Sequence, residues 1–528
     1  MAITKEHSPA ARTSVDTARP PNARNKIRTL AQLSELSREV RADGGRVVMA
    51  HGVFDLLHMG HLRHLEEARQ LGERLIVTVT PDRYVNKGPG RPVFTEFVRA
   101  EMVAALDCVD WVGINTTPSA DPAIALIQPD CYVKGPDYAD ADADVTGKIS
   151  EEKRAVESYG GRLVITNDVT FSSSELINRH LNRFTPKVRS FLDTLANDES
   201  RGNIADMLDR VAGMRVLVVG DLIIDEYRYV TPMSKTPKEH LIATLYQSSE
   251  LFAGGVVATA NHVAGICKEV EVLTVAGGRD DFLDFVEQNK KPNVALNALS
   301  REGGPTTRKC RYVDVNYLRK LFEVYDMDDS PLSPALEQEL NARIRRIAKD
   351  FDVVIVNDFG HGMIMPATVD ALASSARFLA INTQTNSANF GFNVISKYPR
   401  ANYICIDGAE ARLAARLQHA DTAELVEELS HIIDCPNFVV TQASQGALAW
   451  ARGESVSIVP AFADAVLDTV GAGDAFLAIT APLVATGGSL REIAFVGNVA
   501  GALKVGIVGH RQSIDRVSLV KAITALLK

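Results

Sequence analysis

The stretch VVMAHGVFDLLHMGHLRHLEEAR, Val47 to Arg69, decides the fold of the first part of the chain. Val47–Ala50 is an uninterrupted apolar run that ends at His51-Gly52, as expected for a short strand buried on both faces. A turn carrying Asp55 follows, and a helix opens near Gly60. Ligands of parallel α/β sheets bind beyond the carboxyl ends of strands, so this turn is an expected site. His58 and His61 bracket Met59-Gly60 at the helix start, where N–H groups and the helix dipole favour anions. Gly60 has no side chain to obstruct a phosphate. The HxxH spacing lacks the HExxH pattern and any cysteine partner, so it does not read as a zinc site. His64 shares a helical face with His61 but lies one turn further in, beyond phosphate reach. His51 ends the strand and reads as a polar rim residue.

Working outward, the same alternation continues. TLAQLSELSREVRADGG has helical periodicity and a glycine stop, ERLIVTVTPD is a strand, and DWVGIN, CYVKG and RLVITND are further strands that each follow a helical stretch. Strands and helices alternating at this spacing predict a parallel sheet covered by helices. The first unit is predicted to span residues 27–185, after a polar, disordered lead-in over 1–26. A helical linker is expected over 186–204. A second α/β unit, 205–528, opens with MRVLVVGDLIID, a strand leading to Asp221 and Asp225. It continues through VEVLTVAG, DVVIVND, FLAIN, YICID and FVVTQ.

With 528 residues, the chain is too long for one ordinary core. Its net charge of −9 argues against a general nucleic-acid binder, because no basic excess exists to neutralise a phosphate backbone. Six cysteines without a CxxC pair fit reduced, buried thiols in a cytoplasm. No apolar run is long enough to span a bilayer, and the opening segment lacks the apolar centre of a secretory signal. A cytoplasmic enzyme without nucleic-acid or membrane partners, assembling as a homo-oligomer, is expected.

Gly52-Val53-Phe54-Asp55 followed by His58-Met59-Gly60-His61 resembles the HxGH nucleotidyltransferases, in their cytidylyltransferase-like branch. The resemblance continues through Lys87 and Arg91 of VTPDRYVNKGPGRPV, Arg99, Lys134 of PDCYVKGPDY, and FSSSELI. It implies a Rossmann-like fold and attack of a substrate phosphate on the α-phosphorus of a nucleoside triphosphate, with release of pyrophosphate. By that resemblance His58, His61 and Lys87 grip the triphosphate. Gly52, Phe54, Asp55, Gly60, Arg91, Lys134, Ser172, Ser173 and Ser174 complete the nucleotide site. ATP and CTP are both used within the branch. The heptose-specific members usually have threonine-asparagine-glycine where this chain has Ala50-His51-Gly52.

DTVGAGDAF, Asp468 to Phe476, is the most informative string of the second unit. Gly471, Ala472 and Gly473 at a helix start would offer N–H groups to an anion. Asp474 at its mouth could take a proton from an attacking hydroxyl. A glycine-rich turn with a capping aspartate explains the string alone equally well. With AGGVVATAN (253–261) and the aspartates of GDLIID, however, it resembles the ribokinase-like (PfkB-type) sugar kinases. That resemblance implies sugar contacts from Asp221, Asp225, Gly254, Gly255 and Asn261. It also places Thr441 and Asn498 near ATP.

VVGDLIIDEYRYVTPMSKTPKEH and TTRKCR resemble the heptose-7-phosphate kinases within that family. The second string would hold a distal substrate phosphate through Arg308, Lys309 and Arg311; a solvated strand face is the plainer account of it. The family's Asn-x-x-Glu magnesium motif appears as Asp407-Gly408-Ala409-Glu410, so Mg2+ is expected with ATP. Where the heptose branch has Asp-Pro-Lys, this chain has INTQTNSANFGFN, and His361 stands where a lysine is common. Together the halves resemble the bifunctional enzymes of ADP-heptose synthesis for the lipopolysaccharide core, with the transferase first instead of second. CTP-dependent activation of another sugar or polyol, or one half acting as a regulatory binding module, are the alternatives.

Overall fold

A computed structural model describes residues 23–85, 87, 91–135, 148–166, 184–236, 239, 241–280, 282–463 and 465–528. Residues 1–22 of the lead-in expected over 1–26, and Ser172, Ser173 and Ser174, lie outside the described residues. The chain forms two compact units. One comprises Met1–Val85 and Pro92–Ser173, the other Asn86–Arg91 and Ser174–Lys528.

In the first unit, β1 (Val47–Gly52), β2 (Arg74–Val79), β3 (Trp111–Ile114), β4 (Cys131–Lys134) and β5 (Arg162–Ile165) form one sheet in the order β3-β2-β1-β4-β5. Every pairing is parallel. Strand alternation divides β1 between two cores, Val48 and Ala50 packing on one face and Val47 and Met49 on the other. Burial on both faces is why the strand reads as a continuous apolar run. The residues just before the first helix are not disordered as expected. Ala23–Lys26 make a helical turn, and the Lys26 ammonium donates to the carbonyls of Leu106 and Val109 at 2.9 and 2.8 Å.

The second unit begins earlier than the expected boundary. Helices Pro186–Leu195 and Asp198–Val211 place Val188, Leu192, Leu195, Ile204 and Met207 in its main core. The stretch expected as a linker is therefore a packed part of the unit. Its apolar positions recur at helical spacing and need a partner surface.

Its strands are β6 (Arg215–Gly220), β7 (Leu222–Lys235), β8 (Ile242–Gly254), β9 (Glu269–Gly277), β10 (Val294–Arg301), β11 (Thr307–Asp314) and β12 (Lys320–Asp326), then β13 (Val353–Asp358), β14 (Leu379–Thr383), β15 (Tyr403–Asp407), β16 (Asn437–Thr441), β17 (Ala447–Ala451) and β18 (Ser457–Val459). Nine of them form a sheet, β10-β9-β6-β13-β14-β15-β16-β17-β18. The remaining four, β12-β11-β7-β8, form a second sheet that the sequence pattern does not separate. Leu217 and Val219 of β6 face one core and Val216 and Val218 the other, so helices cover both faces of the large sheet. Burying each such side chain is worth ~1.5–3 kcal/mol. Among the described residues no helix is long and apolar enough to cross a membrane.

Candidate active sites

In the first unit β1 lies between β2 and β4, so connections leave it in opposite directions and open a crevice at its carboxyl end. Gly52 ends β1 and Lys134 ends β4, which brings both expected residues to that edge. A Cβ on Gly52 would meet the Phe54 ring at 3.1 Å. Phe54 itself is buried and holds φ +50°, a strained value for a non-glycine residue. Its ring lies 5.3 Å from that of His61. The buried Asp55 carboxylate accepts the N–H groups of Val93 and Phe94 at 2.6 and 3.3 Å. Asp55 therefore anchors a loop.

His58 is the N-cap of the helix Met59–Arg69, and its Nδ1 accepts the Gly60 N–H at 3.1 Å. One of the N–H groups expected to face an anion is thus taken by His58 itself. The same bond places the imidazole proton on Nε2 in the neutral ring. His58 and His61 stack at 3.9 Å and 29°, so the two rings form one unit at the helix start.

The other two histidines are structural. His51 Nδ1 meets the Thr78 hydroxyl at 2.9 Å and Nε2 meets that of Thr80 at 3.2 Å. Burial, reinforced by Lys134 and Lys148, lowers its pKa to about 3. His64 Nδ1 meets the Thr166 hydroxyl at 2.8 Å, and burial with Lys134 takes its pKa to about 4. Lys134 is buried and paired with Glu152 at 2.9 Å, so it enters the site as half of an ion pair. Arg99, fully buried, bonds the carbonyls of Val53, Phe94 and Thr80 and pairs with Asp82 at 2.6 Å, binding the loops around the crevice together. Lys87 is half-buried and Arg91 buried; both belong to the segment that groups with the second unit.

In the second unit the carboxyl ends of β6, β13, β14 and β15 deliver Asp221, Asp358, Gln384 and Asp407. Asp474 sits in the first turn of the helix Ala472–Ala485, whose N-cap is Gly471 at φ +76°. A side chain at 471 would be strained, and its Cβ would lie 2.5 Å from the His510 ring. A Cβ on Gly473 would meet nothing within 4 Å, so the turn is open there.

Asp474 is buried, yet among the described residues only one of its carboxylate oxygens is engaged. Oδ1 accepts from Asn357 Nδ2 and from Gln384 Nε2, each at 3.1 Å. Asn357 is fixed in turn by the Thr259 hydroxyl at 2.9 Å. Burial raises the Asp474 pKa, with His510 opposing it. A buried carboxylate oriented through one oxygen and open at the other is arranged to accept a proton. Asn357 and Gln384 carry no signal in the sequence, nor does His510, whose Nε2 lies 3.4 Å from Asp225. Their contacts join residues 117, 90 and 285 positions apart, the last from the numbers 510 − 225, so no local pattern marks them.

Asp221 accepts the Phe359 N–H at 2.9 Å, and burial beside Asp358 lifts its pKa to about 7. Asp225 is opposite in character. Burial disfavours its charge, but hydrogen bonds from His510 and Arg311 outweigh this and hold it well below the usual range. A Cβ on Gly254 would fall 2.0 Å from the Asp225 carboxylate, which explains glycine there. Gly255 holds φ +52°.

The basic string splits as strand alternation requires. Lys309 and Arg311 face one side of β11, Arg311 pairing with Asp225 and with Glu323 at 2.9 Å. Arg308 faces the other side, 3.7 Å from Glu226 and 3.6 Å from Asp326, so the three cannot share one phosphate as expected. Asn261 also departs from its expected role. Its amide is held by the Asn289 carbonyl and the Lys291 N–H at 3.0 and 2.8 Å, beside a cavity of about 480 Å3 that Asp221, Asp225 and Asp474 do not line. Asn498 donates to the carbonyls of Val459 and Pro460 at 3.0 and 3.1 Å, and the Thr441 hydroxyl to that of Ile406 at 3.4 Å.

The expected magnesium residues form a capping box. Asp407 accepts the Ala409 N–H at 2.8 Å, and Glu410 accepts those of Asp407 and Thr385 at 2.9 and 3.1 Å. Burial, with the like charges of Asp407 and Asp474, raises the Glu410 pKa to about 7. A cation would relieve that crowding. Among the described residues no group of three or more His, Cys, Asp or Glu is arranged to hold a metal. Asp407 and Glu410 supply carboxylate oxygens, the kind of ligand Mg2+ takes.

Comparison with known proteins follows this division. The cytidylyltransferase-like family model matches residues 49–179. The bifunctional protein HldE of Trichlorobacter lovleyi is 39% identical over 164 residues, covering 30% of this chain and 32% of that protein. The bifunctional protein HldE of Citrifermentans bemidjiense is 25% identical over 313 residues, covering 58% of this chain, and the match spans 63% of that relative's length. Such relatives match both halves of the chain. Among solved structures, ribokinase of Arabidopsis thaliana complexed with ribose and ATP is 15% identical, covers 60% of this chain and 99% of that one, and has a TM-score of 0.46. The family model of pfkB carbohydrate kinases matches residues 214–516, more than half of the sequence. The chain belongs to the pfkB carbohydrate kinase family.

Proposed function

We propose that the two units catalyse two steps in making a nucleotide diphosphate-sugar, ADP-heptose: phosphorylation of the anomeric hydroxyl of heptose 7-phosphate, and transfer of AMP from ATP to heptose 1-phosphate, with hydrolysis of the 7-phosphate between them left to a separate phosphatase. The observation that carries this reading is Asp474, held through Oδ1 and open at Oδ2 beside the open face of Gly473. In the kinase unit the acceptor hydroxyl gives its proton to Asp474 Oδ2 while its oxygen attacks the γ-phosphorus of ATP. The bond to the β-phosphate breaks and ADP leaves. The Gly471 and Gly473 N–H groups hold the charge on the phosphate, while the Ala472 N–H is donated to the Thr469 carbonyl at 3.2 Å. Glu410 and Asp407 would hold Mg2+, whose charge would offset that of the phosphates when bound. Asp221 and Asp225 orient the sugar, with Lys309 and Arg311 alongside.

In the transferase unit the anomeric phosphate of the sugar, once the 7-phosphate has been hydrolysed elsewhere, attacks the α-phosphorus of a second ATP, the α–β bond breaks, and pyrophosphate leaves. The stacked His58–His61 pair stabilises charge on the triphosphate, with Lys134 at the end of β4 alongside. No side-chain nucleophile is needed, because the incoming phosphate is one. The HldE relatives favour heptose and lipopolysaccharide-core synthesis over another sugar activated with CTP. His51, the residue that raised CTP, is occupied between Thr78 and Thr80 and has no need of a nucleotide partner.

The test is chromatography of ADP from ATP, Mg2+ and heptose 7-phosphate, and of pyrophosphate and nucleotide-sugar from ATP, Mg2+ and supplied heptose 1-phosphate. Asp474→Asn should abolish ADP formation and spare pyrophosphate release from supplied sugar 1-phosphate, and His61→Asn should do the reverse. Wild-type protein that forms neither product refutes the proposal. The homo-oligomer is also a proposal. Tyr246, Phe322 and Val324 are exposed on one face of the four-stranded sheet, an apolar surface that a second copy would cover. A monomer in sedimentation equilibrium would exclude it.

A further inference from the structure

His361 follows β13 and is 4% exposed, yet neither of its ring nitrogens has a hydrogen-bond partner among the described residues. Leaving a buried polar group unsatisfied costs about 1–3 kcal/mol, so an imidazole with both nitrogens unpaired marks a place where something binds. The ring lines a cavity of about 30 Å3 together with Asp221, Arg301, Thr306 and Met363. That is roughly the volume of one water or one hydroxyl group.

Among the described residues the other polar side chains of the wall have hydrogen-bond partners, the Thr307 hydroxyl excepted. Arg301 bonds Asp328 and Ser330. Thr306 bonds Asp280 and the Gly277 N–H. Asp221 accepts the Phe359 N–H. His361 is thus the group in this wall left with hydrogen-bonding capacity on both sides. Burial, aided by Lys309, lowers its pKa to about 3, so it presents one donor and one acceptor instead of a charge. A hydroxyl matches that pair, and a phosphate, which offers no donor when ionised, does not. The cavity stands at the carboxyl end of β6, beside Asp358, whose neighbour Asn357 orients Asp474.

We propose that His361 is a specificity residue of the acceptor site, donating to and accepting from one hydroxyl of the sugar in the cavity it shares with Asp221. The inference rests on the kinase reading above and deepens it: the acceptor is a sugar with a hydroxyl at this point, read by a neutral ring.

The experiment compares wild-type protein, His361→Phe and His361→Gln on heptose 7-phosphate and its singly deoxygenated analogues. His361→Phe should lower kcat/KM for the full acceptor on the order of 10- to 100-fold. It should leave unchanged the rate on the one analogue that lacks the hydroxyl read. His361→Gln, which keeps a donor and an acceptor, should recover part of the loss. An equal loss on every analogue, or no loss on any, overturns the inference and shows that the cavity holds only water or that the ring is structural. Wild-type protein that phosphorylates no acceptor overturns the kinase reading itself. Thermal melting of each variant reports whether it folds.

Discussion

Removing the Gln384 amide isolates the device that orients Asp474. Both amides reach the same oxygen at 3.1 Å, and the carboxylate they hold is buried. A hydrogen bond to a charged group is worth about 1.5–3 kcal/mol. Gln384 is half-buried, which favours the lower end. At about 1.4 kcal/mol per factor of ten, Gln384→Ala should reduce kcat/KM of the kinase step about tenfold, with the transferase step unaffected.

The pH profile supplies a second, independent sign. Burial raises the Asp474 pKa, and donors to the ionised form oppose that rise. Deleting one donor therefore raises the pKa further, by about one unit for about 1.4 kcal/mol, and moves the acid limb of kcat/KM to higher pH. Initial rates of ADP release across the acid and neutral range measure both effects. If the variant keeps its rate within about twofold and its acid limb in place, Gln384 does not orient the base and the reasoning fails.

The glycine turn separates two effects. Gly471→Ala should lower Tm and activity together, because φ +76° and the His510 ring both exclude a Cβ. Gly473→Ala should leave Tm unchanged and raise KM for ATP, because its Cβ would enter open space facing the nucleotide. Asp221 binds a proton more tightly folded, at about 7, than unfolded, so its contribution to stability falls as pH rises from about 4 to 7. Asp221→Asn removes that dependence, so the Tm of the variant relative to wild type should be higher at about pH 8 than at about pH 5. Calorimetry at the two values checks this.

How much is legible in the chain follows from range. Val47–Gly52, Arg215–Gly220 and Val353–Asp358 are strands buried on both faces, and double burial imposes continuous apolar runs that any reader can find. Turns that need a glycine or an N-cap are equally local, which is why the pattern of residues marks helix starts at His58–His61 and at Gly471–Asp474, while resemblance is needed to tell the second from an ordinary capped turn. Residues 186–204 read as a linker because helical periodicity shows that a helix has an apolar face, not what covers it. Arg308 reads as a partner of Lys309 and Arg311 because adjacency in sequence hides the alternation of a strand.

Local pattern along the chain is enough to mark two α/β units, the central strands of their parallel sheets, and the helix starts at His58–His61 and Gly471–Asp474; it does not separate the four-stranded sheet or place the boundary between the units. Which side chains share a carboxylate is a property of the folded molecule. The pinning of Asp474 by Asn357 and Gln384, the pairing of Asp225 with His510 and Arg311, and the occupation of His51 by two threonines all join residues distant in sequence. Such contacts arise where parallel strands end side by side at one edge of a sheet, and that edge exists only once the chain has folded.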